Sequence, residues 1–276
     1  MIYSVVCADK KFEKAKNLNV NSARKCGVYQ TFEYSLEKDI DSLFWDEHKD
    51  ILSSSRGRGY WLWKPYFINI ALKNINYGDY LIYSDAAICY RNNVNVFIDI
   101  MEREKIDIMP FSLGKYIEKE YTKRDILIAL EADLKSIYET PQLWAGFIVF
   151  RKTREIEGFC REWLEWCKYF QLISDINSKE KNYEAFIENR HDQSIYSVLA
   201  KKKEFMIFRD PSQYGMYRER FFSDEIKERS NYPIIIDAHR QGNKSKYIFV
   251  KLHRVKAWLK QCINQKKVIP YNEQFR

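Results

Sequence analysis

Four short stretches carry side chains suited to acid, base and phosphate chemistry. In YLIYSDAA an apolar run, Tyr80 to Tyr83, ends at Ser84-Asp85-Ala86. A carboxylate at the end of a buried strand is placed to hold Mg²⁺ or Mn²⁺ against a diphosphate, because these hard cations take oxygen ligands and bridge phosphate oxygens. Aspartates at strand ends also cap turns, so Asp85 alone leaves both roles open. In RGRGYWLWKP, Arg56, Arg58 and Lys64 surround glycines. Guanidinium groups grip phosphate bidentately, and glycine lets a backbone approach closely. This gives Lys64 and Arg58 a donor-phosphate role, set against solvated loop charges, with Trp61 and Trp63 as core residues. HDQSIY places His191, Asp192 and Gln193 at a helix start. Asp192 is then either an N-cap or a cleft carboxylate, acting as general base on a hydroxyl or stabilising a cationic sugar centre. Trp144, Ala145 and Gly146 form a segment a sugar can approach closely, with core packing as the alternative for Trp144.

These groups need a scaffold that delivers strand ends to one edge. Ile2 to Cys7 reads as a short buried strand ending at Ala8-Asp9, followed by a Lys-rich helix. A second strand is expected from Gly27-Val28-Tyr29, and SSSRGRG is expected to be a loop before a helix with Pro65 in its first turn. Helices are expected at 94–103, over EGFCREWLEWCKYF and over HDQSIYSVLAKK, and strands at 106–109 and 234–236. Alternation of this kind predicts an open, mostly parallel α/β sheet, whose ligands sit outside the carboxyl ends of the strands. That puts the nucleotide of any donor near Ala8 and Asp9. No internal repeat or low-complexity linker divides the chain, so one domain over 1–243 with a basic extension over 244–276 is the economical reading.

Bulk properties narrow the partner classes. The chain of 276 residues has a formal net charge of +8 and 16% aromatic residues. Flat rings suit bases and sugar faces, and the positive balance suits an anionic partner. Nothing matches a nucleic-acid module, which leaves a phosphorylated substrate or an anionic membrane. Lys244 to Lys267 contains no Asp or Glu and reads as a basic amphipathic helix with Trp258. Such a helix either lies on an anionic membrane surface or packs on the domain with its charged face solvated. The six cysteines form no C-x-x-C pair, the first apolar stretch is too short for a signal peptide, and no run spans a bilayer. A cytoplasmic protein, peripheral on the inner face of the membrane if the helix binds there, is expected.

The block RGRGYWLWKPYFINIALKNINYGDYLIYSDAA resembles a segment that recurs in bacterial capsule and lipopolysaccharide glycosyltransferases of the GT-A fold. WAGFIVFRKT, HDQSIY and DAHR follow in the order they take in those enzymes, so the resemblance spans roughly residues 1 to 240. It implies a Rossmann-like GT-A domain, a nucleotide-sugar donor, usually uridine-linked, and a glycan or lipid-linked acceptor. It also implies a metal site of the Asp-x-Asp kind, taking Mn²⁺ or Mg²⁺ at Asp85; His239 of DAHR is either a second ligand there or a hydrogen-bonded structural residue. Asp85-Ala86-Ala87 departs from the usual Asp-x-Asp by one carboxylate, which keeps open a non-catalytic nucleotide- or carbohydrate-binding protein on the same scaffold. A nucleotidyltransferase fits less well, because ADKKFEKAK lacks a glycine-rich phosphate loop.

Overall fold

The computed structural model describes residues 1–239 together with Leu252, Val255 and Leu259. The boundary at 243/244 and the basic stretch from Lys244 to Lys267 therefore lie outside the described residues, those three positions excepted. Among the described residues ten strands follow in chain order: β1 (Ile2–Ala8), β2 (Gln30–Ser35), β3 (Tyr80–Ser84), β4 (Ile88–Tyr90), β5 (Ile108–Met109), β6 (Phe111–Ile117), β7 (Pro141–Leu143), β8 (Phe147–Arg151), β9 (Phe208–Arg209) and β10 (Ile236–Ala238).

The central sheet has the order β2-β1-β3-β8-β5. β2, β1 and β3 are parallel, β8 is antiparallel to β3, and β5 is antiparallel to β8. Four strands therefore run one way and β8 alone runs back. β1 and β3 are buried on both faces, apart from the first residue of β1, because helices cover the sheet on each side. One core packs the Trp63–Lys73 and Arg154–Cys167 helices against the sheet, and a second gathers around Phe97, Phe111 and Phe147 on the other side. The open, mostly parallel α/β sheet expected from the sequence is what folds.

The reversal of β8 has a direct effect on the site. Ser84 at the end of β3 is registered against Phe147 at the start of β8. Gly146 thus arrives beside Asp85, whose N–H donates to Gly146 O at 2.8 Å. A parallel β8 would have carried Trp144 to Gly146 to the opposite edge.

β5 is confined to Ile108–Met109, two residues short of the strand expected at 106–109, and three further boundaries differ from expectation. β2 starts at Gln30, because Gly27 (φ +102°) and the Val28 N–H to Ala23 O bond close the preceding helix first. β10 runs over Ile236–Ala238, since pairing with β4 begins only at Ile236 opposite Tyr90. SSSRGRG is not an irregular loop throughout. From Gly57 to Trp61 five successive residues have φ of +57°, +53°, +96°, +50° and +61°. Tyr60 N–H donates to Arg56 O and Trp61 N–H to Gly57 O, which makes one left-handed helical turn. Among the described residues no helix is long and apolar enough to cross a membrane.

Candidate active site

Two cavities open side by side at the carboxyl edge of the central sheet. One, of about 700 Å³, is lined by Ala8, Asp9, Phe12, Leu36, Arg58 and Ala86 among others. The second, of about 570 Å³, is lined by Lys64, Trp144, His191, Asp192, Gln193 and further residues. Trp61, Asp85 and Ala87 line both, so the cavities meet at Asp85.

Asp85 follows β3 directly, and its side chain is 40% exposed. Tyr83 Oη donates to Asp85 Oδ1 at 2.8 Å, which fixes the carboxylate toward the seam. Gly146 is required opposite it: a Cβ there would lie 2.6 Å from Asp85 Oδ2 and closer still to Trp144 Nε1. Ser84 is buried, its Oγ accepts from Asn19 Nδ2 at 2.9 Å and from Tyr90 Oη at 3.1 Å, and it holds the strand end instead of facing a cavity.

Behind Asp85 lies a buried ion pair. Lys64, in the first turn of the Trp63–Lys73 helix, places Nζ 2.8 Å from Asp192 Oδ2 and 3.9 Å from Asp85 Oδ1. Asp192 is the first residue of the Asp192–Lys202 helix, so the N-cap position falls to His191 and the Asp192 side chain is free to reach Lys64. Burial pushes the Asp192 carboxyl up, Lys64 pulls it back and Asp85 adds to the rise, for a value of about 6. Burial pulls Lys64 down, but Asp192 and Asp85 outweigh it and hold the ammonium above its ordinary value. The structure thus puts Lys64 on the Asp192 side of the seam, whereas Arg58 lines the larger cavity. Arg58 Nε lies 3.3 Å from Asp9 Oδ2 and its Nη2 3.4 Å from Glu37 Oε1.

His191 is buried with φ +55° and ψ −123°, a conformation few non-glycine residues adopt. Its Nδ1 donates to Ile173 O at 2.7 Å, so Nε2 is the acceptor, 3.3 Å from Arg56 Nε. Burial lowers its pKa, which keeps the ring neutral, and Trp61 stacks on it at 5.3 Å. His191 thereby holds the start of the Asp192 helix, as does Trp163 Nε1 donating to Asp192 O at 3.0 Å. Gln193 is fixed by its neighbours: Ala145 N–H donates to Gln193 Oε1 at 3.2 Å, and Gln193 Nε2 donates to Gln142 Oε1 at 2.8 Å. Ala145 itself is buried, while Trp144 is half-buried on the cavity wall.

His239 is buried, and its N–H donates to Ala87 O at 3.0 Å, two residues from Asp85. Among the described residues no three His, Cys, Asp or Glu side chains converge as a metal site. Sequence reasoning placed Trp61 in the core, whereas it is half-buried and lines both cavities, and did not single out Gln142, Tyr116, Arg190 or Arg218. They come from separate segments, Tyr116 from β6, Gln142 from β7 and the arginines from connections, and only Trp61 lay in a stretch already marked by its glycines and arginines.

No protein-family model matches the chain. No curated protein matches it. Three solved structures to which it is similar are glycosyltransferases by their descriptions. Mouse xyloside xylosyltransferase 1, in its apo form, shares 9% identity over 87% of this chain and 98% of its own, with a TM-score of 0.47. The bifunctional glycosyltransferase WbbM shares 11% over 88% of this chain, with a TM-score of 0.46, and the match spans only 46% of WbbM. The galactosyltransferase LgtC, in complex with donor and acceptor sugar analogs, shares 11% over 94% of this chain and 99% of its own, with a TM-score of 0.48.

Proposed function

We propose that the chain is a glycosyltransferase, moving a sugar from a nucleotide-diphosphate sugar, preferentially UDP-linked, to a hydroxyl of a glycan or lipid-linked oligosaccharide used in a bacterial surface polysaccharide. One observation carries the reading: two reactant-sized cavities meet at a single half-exposed carboxylate, Asp85, backed by the buried Lys64–Asp192 pair. The ordered blocks shared with capsule and lipopolysaccharide transferases support it.

In this reading the nucleotide occupies the larger cavity, beside Phe12, Leu36 and Arg58, with its diphosphate at Asp85. The acceptor enters the smaller cavity, between Trp144 and Asp192. The bond from the sugar's anomeric carbon to the diphosphate breaks, one to the acceptor oxygen forms, and the acceptor's proton passes to the Asp192 carboxylate. With a pKa of about 6, that group is ionised at neutral pH yet basic enough to accept a proton. Lys64 stays protonated and keeps the buried carboxylate in the cleft. Mn²⁺ or Mg²⁺ entering with the donor would neutralise part of the departing diphosphate's charge. Asp85 and His239 are the ligands proposed for it; among the described residues no third His, Cys, Asp or Glu joins them, so the donor phosphates would complete the set.

The test is a screen of nucleotide-sugars for thermal stabilisation and slow donor hydrolysis, with and without Mn²⁺. Stabilisation by one uridine-linked sugar, lost without metal, is the expected result. The small protein ligand set favours one competing reading, a binding protein on a transferase scaffold, which would show affinity for a nucleotide-sugar without any turnover. The basic stretch from Lys244 to Lys267, with Leu252, Val255 and Leu259 exposed at helical spacing, is proposed to dock on the anionic inner face of the membrane. Co-sedimentation with phosphatidylglycerol vesicles, lost on truncation after residue 243, tests it.

A further inference from the structure

The wall of the smaller cavity contains two arginines supported by aromatic rings. The Arg190 guanidinium lies 4.5 Å from the Tyr116 ring centroid and 3.8 Å from that of Tyr121. The Arg218 guanidinium lies 5.1 Å from the same Tyr116 ring and 5.2 Å from Tyr214. Tyr116, Arg190, Tyr214 and Arg218 all line the cavity that holds Asp192. Stacking occupies the faces of the guanidinium planes and removes rotamer freedom in advance, while the N–H donors at the plane edges remain the groups that grip carboxylate or phosphate.

Those edges are weakly engaged within the protein. Arg190 Nε has Glu188 Oε1 at 3.5 Å, and Glu188 also faces Arg56 Nη2 at 3.5 Å, so one carboxylate serves two guanidiniums. Arg218 has no carboxylate within ion-pair distance among the described residues, and its one polar contact there is Tyr116 Oη at 3.5 Å. Asp210, the other carboxylate near it, is buried and turned into its own loop, where Ser212 N–H donates to Oδ1 at 2.7 Å. The two cations are half-buried and aromatic-braced, with N–H donors to spare on the cavity wall, and an anionic group entering the cavity can take those donors.

We propose that the smaller cavity recognises an acceptor sugar bearing an anionic group, a carboxylate or a phosphate, through Arg190 and Arg218. The inference rests on the transferase reading for the word acceptor, but the anion preference of the cavity is measurable without turnover.

The experiment compares three probes that differ at one carbon: methyl glucoside, methyl glucuronide and methyl glucoside 6-phosphate. Titration calorimetry on the full chain is expected to give both anionic probes at least about tenfold tighter binding than the neutral one, with the advantage shrinking as salt rises. The ratio between glucuronide and 6-phosphate tells which anion is the intended one. Arg218→Gln should abolish the preference, and Arg218→Lys, which keeps the charge but not the planar fork, should lose most of it. Arg190→Gln should act alike; because Arg190 is more deeply stacked, Arg218 is the decisive position if the Arg190 variant misfolds. Equal binding of the three probes, no measurable binding of any, or an anion preference unchanged in the Arg218 variants would each overturn the proposal. A parallel titration with UDP separates the two readings. Retained UDP binding without anion preference sinks this inference alone. Anion preference without any nucleotide-sugar binding sinks the transferase reading instead.

Discussion

Replacing Lys64 by Met should destabilise the protein at pH 7.5 and leave it nearly unchanged at pH 5. Met fills much the same volume, so the change removes a charge from a buried pair whose side chains are 5% and 3% exposed. Removing one partner of such a pair costs about 3–5 kcal/mol while the other stays ionised. The state of Asp192 decides whether it does. Its folded pKa of about 6 lies above the ordinary carboxylate value near 3.8, so between those values the folded protein binds the extra proton. Asp192 therefore subtracts stability as pH rises through 4 to 6, by about 3 kcal/mol once fully ionised, since each pKa unit is about 1.4 kcal/mol. Lys64 titrates above 10.5, outside the window, and its raised value depends chiefly on Asp192 being ionised beside it, so its contribution fades with the Asp192 charge below pH 6.

At pH 5 Asp192 is already largely protonated in the wild type, and the ion pair that Met removes is mostly absent. At pH 7.5 the pair is complete and the variant must either bury an unpaired carboxylate or protonate it. For a chain of this size about 3–5 kcal/mol corresponds to a melting-temperature loss of roughly 5–10 °C. Differential scanning calorimetry of both proteins at the two pH values measures it. An equal loss at pH 5 and 7.5, or none at 7.5, would refute the argument that the pair is formed and that Asp192 titrates near 6.

Asp85→Asn, at a half-exposed position, should keep the melting temperature within about 1 °C and lose at least 100-fold in transfer or donor hydrolysis, read by release of nucleotide. Gly146→Ala should also fold, yet its methyl group displaces Asp85 or Trp144 at the seam; nucleotide-sugar affinity by calorimetry is expected to fall at least about tenfold. Gly59→Ala places a Cβ 2.7 Å from Leu52 Cα at φ +96°, and urea denaturation should show a loss of more than about 1 kcal/mol.

What was legible in the sequence had local causes. An apolar run closed by an aspartate reads as a buried strand with its carboxylate at the functional edge, and Asp85 is there. His191, Asp192 and Gln193 begin a helix because the apolar positions after them recur at helical spacing. What was not legible depended on pairing and handedness. The direction of β8 leaves no trace in FIVFR, since a strand buried on both faces has the same composition either way. The glycines of RGRGYW announced a special backbone but not that Arg58, Tyr60 and Trp61 would also take positive φ. Each of those non-glycine residues costs roughly 1–2 kcal/mol in that region, strain that only the surrounding packing sustains. Lys64 was recognised as a cation for anionic chemistry, yet its partner lies 128 positions away at Asp192, and no local pattern connects the two.

Distance in sequence also conceals how Gln193 is oriented. Glu118 is fully buried and ionically paired with Lys201 Nζ at 2.6 Å. Its Oε1 accepts from Thr122 Oγ1 at 2.5 Å and from Gln142 Nε2 at 3.2 Å. A carboxylate there can only accept, so it forces the NH₂ of Gln142 inward and the carbonyl toward Gln193. That carbonyl takes one N–H of Gln193, and Ala145 N–H takes Gln193 Oε1, so the Gln193 amide has one allowed orientation. Its second amide hydrogen is then directed by covalent geometry, not by the ligand. A buried ion pair contributes little net stability on its own. Here it sets the polarity of a chain of amides that ends in the cleft beside Asp192, which is a structural reason for an α/β protein to keep a charge in its core.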